Sequence, residues 1–307
     1  MSWAAHQFEY YALQGHLPRR WLGKVSFLGV VVGDQSCDLI GKLWSYGIDI
    51  GGAHYGPDQP SQWHRGWIGL GPTHSVLWAF IAAGAVYLIS KNRSWTLGVG
   101  IGAAIHAMTD IGDTVGTMLA FPFSTQTYSI GAWAYAATAE GGKYLDAAAY
   151  YSSWGFVMDA LWFVVALSGA RCLTLRYWRA NVVTADPRAW GWLGRRLPER
   201  VLVTLYRAWF FYAICRLIAW TAWAHVIEDF EWDLSWGGPG WIPKAVLSHP
   251  EPLAAITAVL VSAVVVCVAV GTLVRLPDRV LDDRRVQGRH RIRSGRRAPA
   301  EPPAPSR

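Results

Sequence analysis

Residues 252–274 read PLAAITAVLVSAVVVCVAVGTLV, without one charged side chain. A helix that long matches the hydrocarbon thickness of a bilayer, and few folds other than a membrane span tolerate so long an uncharged run. Residues 154–175 (WGFVMDALWFVVALSGARCLTL) also read as a span, though they carry Asp159 and Arg171. Segment 201–227 has the length to span and is rich in aromatic residues, 74–90 is a short span, and 25–44 and 96–120 have the length but carry aspartates. The whole chain is 52% hydrophobic and only 16% charged, against roughly 25% charged in soluble domains. The expected fold is therefore all-α: a polytopic integral membrane protein of about six transmembrane helices.

The charges between these segments give an orientation. Residues 1–24, 91–95, 171–200 and 275–307 carry 3, 2, 7 and 10 Lys plus Arg, whereas 45–73, 121–153 and 228–251 carry one each. Basic loops stay in the cytoplasm, so both termini are expected inside. The acidic stretch EDFEWDLSWGGPGW (228–241) is expected outside, its tryptophans lying at the interface. The first 21 residues hold no apolar core of a cleavable signal peptide. Residues 1–275 thus form a transmembrane helical domain whose site core is 25–124, and 276–307 a disordered basic cytoplasmic tail. That tail suits anionic lipid headgroups, and no nucleic acid is expected as a partner. Cys37, Cys172, Cys215 and Cys267 never form a CxxC pair and read as buried thiols. Richness in Trp, Ala and Arg suggests a high-GC bacterium, and the expected location is its cytoplasmic membrane, multi-pass.

One of the spans is unusual. Residues 101–117, IGAAIHAMTDIGDTVGT, set an imidazole and two carboxylates among small apolar residues. His106, Asp110 and Asp113 follow spacings of four and three, which stack on one helix face. Asp34 and Asp38 are likewise four apart, and His74 follows Thr73, which reads as a helix N-cap. The orientation above brings all of them to one stratum, from the midplane to the outer face. Charged groups at that depth cost several kcal/mol unless they face a partner or a polar cavity. A divalent cation, zinc first with manganese or magnesium as alternatives, would let these carboxylates stay ionised. Asp38 or Asp113 would then take a proton. Asp159 and Arg216 also lie inside spans, and Asp113, Asp159 or a phosphate-bearing substrate would serve Arg216 as counter-charge.

WHRG (63–66), THS (73–75), HAMTD (106–110) and FPFS (121–124) resemble the motifs of the predicted membrane-bound metal-dependent hydrolases, a family that includes the LexA-binding inner-membrane-associated hydrolases. GDQSCD (33–38) stands where that family has Pro-Asp-x-Asp. The resemblance implies metal ligation by Asp34, Asp38, His64, His74, His106 and Asp110, and His6 corresponds by distance to the family's N-terminal histidine. Two departures stand out: the aspartates are four apart rather than two, and WIGLGP separates His64 from His74. The stretch TLGVGIGAA (96–104) before His106 carries no Arg, unlike the lipid phosphatases that grip phosphate with Arg and use a histidine nucleophile. The expected function is a membrane-embedded hydrolase acting on an amphiphilic ester or phosphoester, a membrane lipid or lipid-linked substrate, at the extracytoplasmic side. A cation- or proton-coupled transporter and a non-catalytic scaffold are the alternatives.

Overall fold

A computed structural model describes residues 4–46, 48–55, 71–134 and 143–238. They are mostly helical: α1 (Ala5–His16), α2 (Phe27–Tyr46), α3 (Val76–Ser90), α4 (Arg93–Thr109), α5 (Lys143–Tyr151), α6 (Trp154–Ser168), α7 (Pro187–Gly194) and α8 (Glu199–Ala222), with shorter helical turns between some of them. A small hairpin, β1 (Ile48–Ile50) and β2 (Ala53–Tyr55), follows α2. Helix starts are set by side-chain caps that satisfy otherwise orphaned amides. Asn92 accepts from Ser94 and Trp95 at the head of α4, and Ser153 from Gly155 at the head of α6. Ser75, rather than Thr73, caps α3 by accepting from the Trp78 amide.

Helices α2 and α4 run parallel. Their first turns are joined by the Ser26 amide donating to the Ser94 carbonyl at 3.1 Å, and they stay in backbone contact for two further turns. Small residues allow this approach. A Cβ on Gly33 would lie 2.1 Å from the Val99 carbonyl oxygen, and one on Gly102 would lie 2.2 Å from that of Val30. This seam presses the Asp34 turn of α2 against the His106 turn of α4. Gly102→Ala is expected to force the helices apart and cost about 3 kcal/mol, the upper range of overpacking, read as a lowered unfolding midpoint. Helix α3 returns antiparallel and packs Trp78, Ala82 and Val86 against Val99 and Ala103.

The largest departure from the sequence reading lies at the N-terminus. The segment 1–24, read as a cytoplasmic flank, contains α1, whose residues Ala5 to Ala12 are all buried. Four contacts fix its place. Ala4 and Ala5 lie on Asp159 of α6, Gly15 lies on Gly169, His6 and Tyr10 meet Asp34 of α2, and Tyr11 and Phe8 pack on Tyr206 and Phe210 of α8. Helix α1 is therefore the axis around which α2, α4, α6 and α8 gather. Its polar and aromatic composition hid it from a search for apolar runs, because its partners supply the burial.

Of the candidate spans, 25–44, 74–90, 154–175 and 201–227 each hold a long helix, whereas the helix in 96–120 stops at Thr109. Gly112 packs under the Trp133 ring and Asp113 is extended. From there the chain pairs irregularly with 128–133, through Thr117–Tyr128 and Ala132–Gly112 backbone bonds, and covers that end of the bundle. Among the described residues one helix, Glu199–Ile227, is long and apolar enough to cross a membrane. The pair Leu145–Tyr151 and Trp154–Ser168 passes as one unit bent by 68°. Residues 252–274 and the basic tail lie outside the described residues. Cys37 and Cys172 are buried as expected, but Cys215 is exposed, and Arg216 donates to Gln7 Oε1 at 3.0 Å.

Candidate metal centre

Four side chains from three helical segments converge where α2, α3 and α4 meet. Asp38 comes from the second half of α2, His74 from the turn before α3, His106 from the last turn of α4, and Asp110 from the turn that follows it. His106 and Asp110 share one face by their i,i+4 spacing. His74 is held by its neighbour: the Thr73 hydroxyl lies 3.2 Å from His74 Nδ1 and donates to the Cys37 carbonyl at 3.0 Å, which leaves Nε2 facing inward.

The donor atoms describe a small polyhedron. His74 Nε2 lies 3.3 Å from His106 Nε2, 3.4 Å from Asp38 Oδ1 and 3.6 Å from Asp110 Oδ2. His106 Nε2 lies 3.4 Å from Asp110 Oδ2 and 3.7 Å from Asp38 Oδ1. Ligands 2.0–2.1 Å from a tetrahedral zinc ion stand about 3.3 Å from one another. The donors thus fit one divalent cation with a small contraction. His74, His106 and Asp110 are sealed from solvent, whereas the Asp38 side chain keeps 13% of its surface exposed, so the open side is at Asp38.

A second layer orients the first. Asp34 Oδ1 lies 3.1 Å from His106 Nδ1, and Asp34 Oδ2 accepts from the Tyr10 hydroxyl at 2.6 Å and from Gln35 Nε2 at 2.8 Å. A carboxylate on the far nitrogen of a ligating histidine fixes its tautomer and raises its basicity. The arrangement makes Asp34 a positioning residue for His106. Asp34→Asn is expected to weaken zinc binding about 10–100-fold, the usual effect of removing such a partner, measured by competition with a chromophoric chelator. On the other side His6 stacks on His106, with ring centroids 4.1 Å apart and planes 11° apart.

The predicted residues therefore divide. Asp34, Asp38, His74, His106 and Asp110 come together. Asp113 does not join them: its Oδ1 accepts from the Val115 and Gly116 amides at 3.0 and 2.8 Å, holding the turn after α4. His64 lies outside the described residues. Asp159 also stays apart, accepting from the Ala4 and Ala5 amides and from the Tyr150 and Tyr151 hydroxyls. Glu9, Tyr10 and Gln35 went unread as site residues. The signal for Glu9 was its i,i+3 spacing from His6, which carries meaning only once residues 5–16 are known to be a helix. No protein-family model matches the chain, and comparison with curated proteins and with solved structures returns no match.

Proposed function

We propose that this protein is a membrane-embedded, metal-dependent hydrolase whose centre is formed by Asp38, His74, His106 and Asp110. The observation that carries the reading is the set of donor separations, 3.3 to 3.7 Å for the five pairs that include a histidine and within 4.8 Å for all four side chains. A divalent ion bound there, zinc before manganese or magnesium for this His₂Asp₂ set, would supply Lewis acidity toward a water and the scissile group. The protein's own groups do the rest. Thr73 and Asp34 lock the two imidazoles, and Asp38, the donor at the open side, is the carboxylate that would give up its place to a water and accept that water's proton.

The membrane setting is proposed on the distribution of polarity. Phe80 and Leu88 of α3, Leu161, Val164 and Leu167 of α6, and Leu205, Phe211 and Ile218 of α8 all point outward. His6, Glu9, Asp34 and Asp159 are inside. Apolar surface without and ionisable groups within is the pattern a bilayer imposes. With six crossings in the orientation read from the basic loops, the centre lies in the outer half of the membrane. Its substrate is then an amphiphilic ester or phosphoester presented by the outer leaflet.

The test is headgroup release from synthetic lipid esters and phosphoesters by the purified protein in nanodiscs. Release is expected with zinc present, lost after chelation, restored on readdition, and absent in Asp110→Asn. A protein that binds zinc at this centre yet releases nothing from either ester class is not a hydrolase of this kind.

A further inference from the structure

We propose that the groove between α2, α7 and α8 binds one anionic phospholipid, an acyl chain lying in the groove and the phosphate on the basic side chains at its mouth. This goes beyond the metal centre and rests only on the membrane setting proposed above. A short helix makes the groove. Pro187 opens α7, and Asp186 caps it by accepting from the Ala189 amide at 3.3 Å. Asp186 also accepts from Trp95 Nε1 at 2.7 Å, which ties α7 to the first turn of α4.

Phe27 and Val31 of α2, Trp190 and Leu193 of α7, and Leu205 and Trp209 of α8 help to line a cavity of about 550 Å³, a volume typical of small-ligand sites. Every lining residue is aliphatic or aromatic. Leu205, Trp209 and Tyr212 are 52%, 43% and 50% exposed, so the groove is open along the side of the bundle. It lies at the first turns of α2 and α8, whereas the metal centre stands further along α2, at Asp38. In the orientation read from the basic loops, that end is cytoplasmic. The occupant then comes from the inner leaflet and is distinct from the outer-leaflet substrate.

Two observations identify that occupant. The first is charge. Residues 171–200 carry seven Arg against two acids, and both acids are engaged: Asp186 as above, and Glu199 by Arg179 at 2.7 Å. Arg196 and Arg200 are exposed where α7 gives way to α8, and Lys24 is exposed three residues before Phe27. Basic side chains at that depth attract anionic headgroups. The second is an orphaned donor. Trp190 is 6% exposed, and its Nε1 is buried without a hydrogen bond among the described residues. A buried indole N–H ordinarily finds an acceptor, and a phospholipid carries one, its ester carbonyl, between the acyl chain and the phosphate. An uncharged helix laid in the groove, its carbonyls already bonded, would answer neither the arginines nor the indole.

The test places a photo-crosslinking residue on the groove wall, Leu205→p-benzoylphenylalanine, in full-length protein in nanodiscs of equimolar phosphatidylglycerol and phosphatidylcholine. Mass spectrometry of the crosslinked protein is expected to show phosphatidylglycerol captured about tenfold over phosphatidylcholine, an effect in reach of two basic side chains. Adding Arg196→Ala and Arg200→Ala is expected to bring that ratio near one. Adding Ala208→Trp, which fills the groove, is expected to abolish capture with helical circular dichroism unchanged. Equal capture of the two lipids by the otherwise wild-type chain overturns the headgroup assignment, and undiminished capture with Ala208→Trp overturns the site. A crosslink to residues 252–274 or to a second copy in place of lipid overturns the occupant. A protein that stays dispersed without detergent or nanodisc instead removes the membrane reading.

Discussion

His106→Ala is expected to empty the first centre: zinc affinity falls at least a thousandfold, roughly 4 kcal/mol at 1.4 kcal/mol per decade. The size of the effect follows from how many roles one ring plays. His106 Nε2 is within 3.3 to 3.7 Å of the three other donors, so its loss removes one vertex and leaves a void where the ring stood. Its Nδ1 faces Asp34, whose remaining partners are Tyr10, Gln35 and His6. The alanine variant thus leaves Asp38 and Asp110 to oppose each other across a widened gap, with one imidazole between them. Elemental analysis after dialysis should read near one zinc fewer per chain than wild type. Free imidazole should restore part of the affinity by filling the void, a rescue that a merely destabilised protein does not show. His225→Ala, on a residue whose ring stacks near Trp232 away from the centre, should keep its metal. Equal metal in His106→Ala and wild type would show that the four donors do not hold the ion.

The part of this centre that was legible in the sequence is the part built by local periodicity. His106 and Asp110 face one way because a helix turn brings them together, and Asp34 and Asp38 share that logic on α2. Their meeting across 72 positions depends on the glycine seam, whose residues could be seen but whose partners could not, since a run of glycines in an apolar segment fits any close helix pairing. The end of α4 was misplaced for a related reason. Residues 110–120 keep an apolar composition, but Asp113 binds the amides of Val115 and Gly116, and that local competition stops the helix where hydropathy would carry it on. Helix α1 was the deepest omission. Hydropathy finds segments that bring their own apolar surface, and α1 brings Tyr, Gln, His and Glu to sites that other helices bury.

That dependence makes Asp159 the residue on which α1 turns. Its two oxygens accept from the Ala4 amide at 2.7 Å, the Ala5 amide at 3.0 Å, and the Tyr150 and Tyr151 hydroxyls at 2.9 Å each. The first turn of α1 has no side-chain cap of its own, so a carboxylate from α6 does that work, with the helix dipole in its favour. Asp159→Ala leaves two amides and two phenols buried without their acceptor, and it is expected to cost about 3–5 kcal/mol, as when one partner of a buried charged network is removed. Asp159→Asn should recover little of this, because one of its two terminal atoms becomes a donor facing donors. Both variants should expose the first residues of α1 to limited proteolysis before the rest of the bundle unfolds. The chemical consequence is selective. His6 and Glu9 ride on the freed turn, whereas Asp38, His74, His106 and Asp110 stand on α2, α4 and the turns beside them, which the α2–α4 seam holds together without Asp159. Asp159→Asn should therefore keep the ion held by α2, α3 and α4. Loss of that ion, with helicity intact, would mean that α1 braces the centre as well.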